Sequence, residues 1–290
     1  MNIGQTLKIS PNVEIDLLLA HIVNEPKEFL HLHPEYRLSP TQAKKLTALI
    51  KRRKKGEPIA YILGYKYFYG LKFAVNRNVL VPRPESEWLV EQGVKYLKNN
   101  PAAERVLDMG TGSGCLIISL AATTRTSIKT ATHTTRASSK PKKRPIQWVG
   151  ADISKLALAM AKQNSRQHKT PVKFIQSNLF KSIKGKFDFI MANLPYVPAK
   201  IFKELHSHLK YEPKLALMDK GKDEMIIHKF LASLPKHLTD AGQAVMEIDP
   251  RNKPGIEKFA RQNKLQLKIN FHKDYQKLWR YAVIKKLPSG

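Results

Sequence analysis

The chain has 290 residues, enough for one large or two modest domains with ample core. It carries 51 lysines and arginines against 23 acidic residues, a formal net charge of +28, and a single cysteine. One cysteine excludes an internal disulfide framework, no stretch is long and apolar enough to span a membrane, and the charge predicts salt-sensitive attraction to nucleic acid or an acidic partner. The N-terminus does not read as a secretory leader, because Glu14 and Asp16 flank its apolar run. A reducing, cytoplasmic location is the expectation.

Residues 1–55 read as a small helical domain, with Val13, Leu17, Leu18 and His21 at helical spacing. Ser39 and Pro40 are an N-cap followed by a proline at the first helical position. The helix they open ends in the basic run Lys51–Lys55, which suits a helix C-terminus as well as an RNA contact. Residues 56–82 change character. Ile59–Gly64 and Tyr67–Phe73 are β-rich, aromatic and punctuated by glycine, and predict a β-hairpin linker. Pro82 and Pro84 then stiffen the chain around Arg83, next to Glu85 and Glu87. That cluster suits either a cleft wall or a lock between two domains.

Residues 83–290 predict a twisted, mostly parallel α/β sheet with helices on both faces. Arg105–Met109 reads as a buried strand and the stretch from Ser113 to Ala122 as an apolar helix. Between them lie Gly110, Thr111, Gly112, Ser113 and Gly114. Glycines let backbone N–H groups approach a ligand, and the helix N-terminus points at the same place. A strand, a glycine turn and a helix predict a nucleotide-like cofactor over the strand's C-terminal end. The spacing Gly-x-Gly-x-Gly, with Asp108 two residues earlier, resembles the loop of S-adenosylmethionine-dependent methyltransferases. An acidic residue there suits a cationic sulfonium and ammonium.

Thr123–Gln147 lacks acidic and aromatic residues and reads as a flexible basic insertion, at the sheet end opposite the ligand crevice. The second strand, Ile146–Ala151, ends at Asp152, placed to hold ribose hydroxyls once the insertion is discounted; the competing reading is an N-cap. The third strand, Val172–Gln176, leads to Asn178, which can reach an adenine edge, and Leu179, which can pack on its face. The fourth, Phe187–Ala192, ends in Asn193, Leu194, Pro195 and Tyr196. Two further strands, about Leu265–Phe271 and Leu278–Ile284, predict an antiparallel edge pair.

Asn193 offers a carbonyl acceptor, the following peptide carbonyl held by Pro195 offers another, and Tyr196 offers a ring face. Two acceptors converging on an –NH2 group would turn its lone pair toward an electrophilic methyl. Asn193, Pro195 and Tyr196 are therefore the candidate catalytic residues, and Asn193–Tyr196 the substrate-binding ones. A neutral thioether leaving group needs no metal, and His31 with His33, and His206 with His208, are spaced too irregularly to suggest a metal site.

Taken together, these motifs resemble the release-factor glutamine methyltransferases, the PrmC/HemK family. The likeness runs through Gly56–Gly64, Pro82–Glu87, Leu107–Gly114, Asp152–Ser154, Tyr211–Pro213, Glu247–Ile248, Asp274 and Arg280. It implies a seven-stranded Rossmann-like sheet and methyl transfer from S-adenosylmethionine to the glutamine amide in the Gly-Gly-Gln loop of class I peptide chain release factors. It implies that Asp108, Gly110, Thr111, Gly112, Ser113, Gly114, Asp152, Asn178, Leu179 and Asn193 hold the cofactor, and that the helical domain helps to recognise the release factor. Leu194 stands where the family usually has proline. Asn-Leu-Pro-Tyr also resembles the motif of ribosomal RNA adenine dimethyltransferases, so N6-adenine methylation of ribosomal RNA is the alternative. Non-specific RNA or ribosome contact through the basic surface is a further expectation.

Overall fold

The computed structural model describes residues 2–9, 13–132, 144–198, 207–219 and 225–288. Its contacts divide the chain into two units, Met1–Tyr65 with His206–Tyr211, and Lys66–Leu205 with Glu212–Gly290.

The first unit is helical: α1 (Ile3–Ile9), α2 (Val13–Val23), α3 (Lys27–Leu32), α4 (Pro40–Lys54) and α5 (Ile59–Leu63). Leu18, Leu19, Leu30 and Leu46 are fully buried in its core. The helix start read at Ser39 is present as a complete capping box: Gln42 N–H donates to Ser39 Oγ at 3.2 Å and Ser39 N–H to Gln42 Oε1 at 2.9 Å. In the basic run, Arg52 forks onto Glu57 at 2.8 and 2.9 Å, and Arg53 onto Glu14 at 2.7 and 2.8 Å. Both guanidinium groups thus serve this unit's own fold. Ile59–Leu63 is helical, not a strand. Pro58 precedes it, Gly64 closes it in the left-handed conformation at φ +80°, and Ile62 is buried in the helical core. A five-residue apolar run carries too few residues to separate the two periodicities, and packing decided.

In the second unit, β1 (Tyr65–Phe68) and β2 (Leu71–Ala74) form a hairpin. There follow α6 (Glu87–Asn99), β3 (Arg105–Met109), α7 (Cys115–Thr132), β4 (Gln147–Asp152), α8 (Lys155–Gln167), β5 (Val172–Gln176) and β6 (Phe187–Ala192). After the short pieces β7 (Val197–Pro198), α9 (Lys214–Leu217) and β8 (Met218–Asp219) come α10 (Met225–His237), β9 (Leu238–Glu247), α11 (Asn252–Gln262), β10 (Leu267–Lys273) and β11 (Trp279–Lys286).

The seven strands lie in the order β10-β11-β9-β6-β3-β4-β5. β3 pairs in parallel with both β4 and β6, so the strand order reverses at β3. A reversal leaves the two flanking crossovers on opposite faces and opens a crevice at the strands' C-terminal ends. The expected antiparallel pair is present one or two residues later than read, with β11 inserted antiparallel between β9 and β10. β3 is buried on both faces. Leu107 and Met109 join the core under α10 and α11, and Val106 joins the core under α6 and α7.

The helix after the glycine turn continues to Thr132, ten residues past its expected end. Its added turns are anchored where they are described: Thr124 Oγ donates to Leu120 O at 2.8 Å, and Arg125 to Lys169 O at 2.7 Å. Of the basic insertion read at 123–147, residues 133–143 lie outside the described residues, as does His206.

Asn164 braces the hairpin against the glycine turn. Its Nδ2 donates to Ala74 O at 3.0 Å and Ser113 O at 2.9 Å, and its Oδ1 accepts from Ala74 N–H at 2.8 Å. The side chain is fully buried, so truncation strands these groups away from water. Asn164→Ala is expected to destabilise the protein by about 2–4 kcal/mol, read as a fall in the urea midpoint.

Candidate active site

The glycine turn is tied to the end of β4. Gly110 and Thr111 N–H both donate to Ala151 O, at 2.8 and 2.9 Å. Gly112 N–H donates to Asp152 Oδ2 at 2.9 Å, and Ser154 N–H to Asp152 Oδ1 at 2.8 Å. Helix α8 is instead capped by Ser154, whose Oγ accepts from Ala157 N–H at 3.2 Å. Asp152 therefore does not cap the helix; it stands at the cleft wall with spare lone pairs. Burial pushes its carboxyl up, opposed by these backbone donors.

The two motifs meet at Gly110. A Cβ built there would lie 3.2 Å from Leu194 Cδ2 and 3.6 Å from Asn193 O, and Gly110 itself has φ +77°. Glycine is thus required by close approach as well as by conformation. One open cleft is walled by Gly110–Ser113, Asp152, Asn178, Leu179 and Asn193–Pro195. Leu179 enters it with φ +48°, a strained conformation for a bulky side chain.

Three expected residues are not on that wall. Asp108 is fully buried, and its Oδ2 accepts from Thr111 Oγ at 2.6 Å. It cannot face a sulfonium; it holds the turn from beneath. Gly114 is occupied by packing, since a Cβ there would lie 2.7 Å from Ile118 Cδ1 and 3.3 Å from Ala161 Cβ. Tyr196 turns its hydroxyl away to Glu247 Oε1 at 3.2 Å.

Burial raises the Asp108 carboxyl to about 7, opposed by the Thr111 hydrogen bond and reinforced by the charge of Asp152. The folded value exceeds the unfolded one, so its stabilising contribution is complete below about pH 4 and is lost as pH rises through about 7. Asp108→Asn, which mimics the protonated acid, is expected to gain on the wild type by on the order of 2 kcal/mol between pH 5 and pH 8 in denaturant melts. A constant difference across that range would refute the assignment.

Asn193 is held by partners that local sequence does not reveal. Its Nδ2 donates to Ser86 Oγ and to Glu247 Oε2, both at 3.0 Å. Ser86 Oγ donates in turn to Glu247 Oε2 at 2.5 Å. An ionised carboxylate only accepts, so the amide nitrogen must face Glu247, and Asn193 Oδ1 is left without a partner among the described residues. Burial pushes the Glu247 carboxyl up, countered by the hydrogen bonds from Ser86 and Tyr196.

The proline-flanked segment contributes an ion pair with a buried carboxylate and a partly exposed guanidinium. Arg83 donates to Glu212 Oε1 at 2.5 Å, while Val81 N–H donates to Glu212 Oε2 at 3.1 Å. Both partners belong to the second unit, and Arg83 also lines the cleft. Cys115 lines the cleft too, but burial pushes its thiol up to about 12, which disfavours the nucleophilic thiolate. Arg83 reads in the sequence as part of a cluster suited to a cleft wall or a lock between two domains, and it lies on the cleft wall; Glu247, Ser86 and Glu212 have no role in the sequence reading beyond membership of short motifs.

Residues 8–64 match the PrmC N-terminal domain family and residues 101–270 a methyltransferase domain family. The chain is 32% identical over 242 residues to a release factor glutamine methyltransferase of Haemophilus influenzae, covering 81% of this chain and 79% of that one. It is 34% identical over 251 residues to the protein of the same description from Leptospira interrogans, covering 83% and 79%. Among solved structures, the hMettl16 catalytic domain in complex with a MAT2A 3'UTR hairpin shares the fold, at TM-score 0.55 and 14% identity over 88% of this chain and 86% of that one.

Proposed function

The chain belongs to the release factor glutamine methyltransferases, and from that membership we infer that it methylates the side-chain amide of the glutamine in the Gly-Gly-Gln loop of a class I peptide chain release factor. Its cofactor is S-adenosylmethionine. The observation that carries the site assignment is the committed Nδ2 of Asn193, which leaves Oδ1 as a fixed acceptor in the same cleft as the glycine turn.

The residues present fit that cofactor. Asp152 has spare lone pairs for a diol, Asn178 supplies an amide for an adenine edge, and Leu179 an apolar surface for its ring. When bound, the cofactor supplies an electrophilic methyl whose departure leaves a neutral thioether. Asn193 Oδ1 and the Leu194 carbonyl accept the two N–H groups of the substrate amide. Its nitrogen lone pair is delocalised toward the carbonyl, and gripping both hydrogens turns it toward the methyl; after transfer one of those two protons is released to solvent, which leaves a neutral N-methyl amide. Leucine keeps the acceptor that the family's usual proline offers at this position, because the acceptor is main chain. Tyr196, off the cleft wall, ties its hydroxyl to Glu247 and so braces the end of this segment.

The helical first unit is assigned to recognition of the release factor, supported by its match to the PrmC N-terminal domain family. The net charge of +28 supports an additional, non-specific attraction to RNA or the ribosome, which rising salt would remove. The test is incubation with methyl-labelled cofactor and, separately, a class I release factor or ribosomal RNA. Label on the glutamine of the release factor is expected. Label on ribosomal RNA alone would replace this reading with adenine methylation.

A further inference from the structure

The turn between β10 and β11 leaves three large apolar side chains in water. Tyr275 is 100% exposed, and Leu278 and Trp279 stand exposed beside it. Neighbouring rings left in water mark a contact site. The turn itself is firmly built. Asp274 N–H donates to Leu278 O at 2.9 Å, Leu278 N–H to Asp274 Oδ1 at 3.0 Å, and Lys277 N–H to Asp274 O at 2.9 Å. Arg280 Nε donates to Asp274 Oδ2 at 3.2 Å. The backbone that carries Tyr275 is therefore set before any partner arrives, which lowers the ordering cost of binding.

Cations surround the rings. Lys273 pairs across from Trp279, with its ammonium 4.9 Å from the indole centroid. Lys253 lies 5.1 Å from the same ring and 5.3 Å from Phe271. The carboxylates nearby are already bound: Asp274 to Arg280, Asp249 to Arg251 and Glu257 to Lys253. Lys273 and Lys277 have no carboxylate partner among the described residues.

This mixture decides the kind of partner. Protein interfaces enrich aromatic residues and deplete lysine, because an ammonium driven into an apolar pocket loses its water without compensation. Single-stranded nucleic acid satisfies both groups at once, since unstacked bases lie on ring faces and phosphates meet ammonium groups. The formal charge of +28 adds attraction at long range.

We propose that the β10–β11 turn is a docking platform for single-stranded RNA: Tyr275 stacks a base, Trp279 extends the platform, and Lys273 and Lys277 meet phosphates. This rests on the RNA attraction read above from the charge, and gives that attraction a place on the molecule.

Fluorescence anisotropy on the full chain compares a labelled oligouridylate of about 12 nucleotides with an RNA duplex of the same length. Tyr275→Ala should weaken oligouridylate binding about tenfold, the effect of losing one stacked base, and duplex binding less than about twofold. Tyr275→Phe keeps the ring and should bind as the wild type does. The side chain is fully exposed, so neither change disturbs the fold. Lys273→Gln with Lys277→Gln should make the dependence of log affinity on log salt shallower by about 0.7 per lysine for the single strand. Unchanged oligouridylate affinity in Tyr275→Ala would overturn the proposal and leave the charge-driven attraction standing. So would an equal loss on the duplex, or an unchanged salt slope in the lysine variant. Unchanged RNA affinity in Tyr275→Ala with a raised KM for the release factor would make the turn a protein contact instead. A wild type that binds neither RNA at about 50 mM salt would overturn the proposal and the RNA reading together.

Discussion

Asn193→Ala is expected to lower turnover on the release factor by 100-fold or more, on the order of what loss of one essential polar contact in the transition state costs. Affinity for S-adenosylhomocysteine should change little by comparison, because the glycine turn, Asp152 and Leu179 remain. The reason lies in which atom of Asn193 faces the cleft. Its nitrogen is held at 3.0 Å by both Ser86 and Glu247, so its oxygen is presented as an acceptor without a search among rotamers. Asn193→Asp keeps an acceptor but places a carboxylate against buried Glu247, and should be nearly as inactive. Single-turnover kinetics with saturating cofactor separate the chemical step from binding. Turnover within a few-fold of wild type would remove the amide grip from the mechanism.

The second large effect is expected at a residue that touches no reacting atom. Glu247→Ala should lower kcat by about 100-fold, the cost of a misplaced contact near the chemistry, with cofactor affinity preserved. Glu247 Oε2 accepts from Ser86 and Asn193, and Oε1 from Tyr196. Removing it frees the Asn193 amide to rotate and strands three donors in a buried place. Glu247→Gln separates positioning from charge. A glutamine can put its carbonyl oxygen where Oε2 was and its NH2 toward the Tyr196 hydroxyl, which can turn to accept. That variant should keep turnover within about threefold of wild type. Burial already pushes the Glu247 carboxyl up, so the neutral side chain should also melt no lower than the acid. A dead but folded Glu247→Gln would mean that the charge itself is needed. An active Glu247→Ala would mean that Asn193 is held by Ser86 alone.

The sheet and its two motifs are legible in the chain because their signals are local. Strands β3, β4, β5 and β6 are runs of apolar residues bounded by glycine, aspartate or asparagine, and their reading is within a residue of the structure. The glycine turn and the Asn-Leu-Pro-Tyr segment mark two strand ends, and parallel strands with intervening helices bring such ends to one edge. Where local signals tie, the reading fails. Ile59–Leu63 fits helix and strand alike, and the helix after Ala122 continues through threonines that favour neither state strongly.

Sequence alone thus determined the class of fold, the place of the crevice and the residue types around it. These follow from periodicity and turn chemistry over a few neighbours. The tertiary structure decided which atoms face the ligand. Asp108 reads as a ligand-facing acid and is a buried support for Thr111. Asn193 reads as donor and acceptor alike, yet it is committed through partners 107 and 54 positions away in the chain. Hydrogen-bond direction depends on which group lies opposite in space, and that pairing exists only after the strands and the proline-flanked segment have packed.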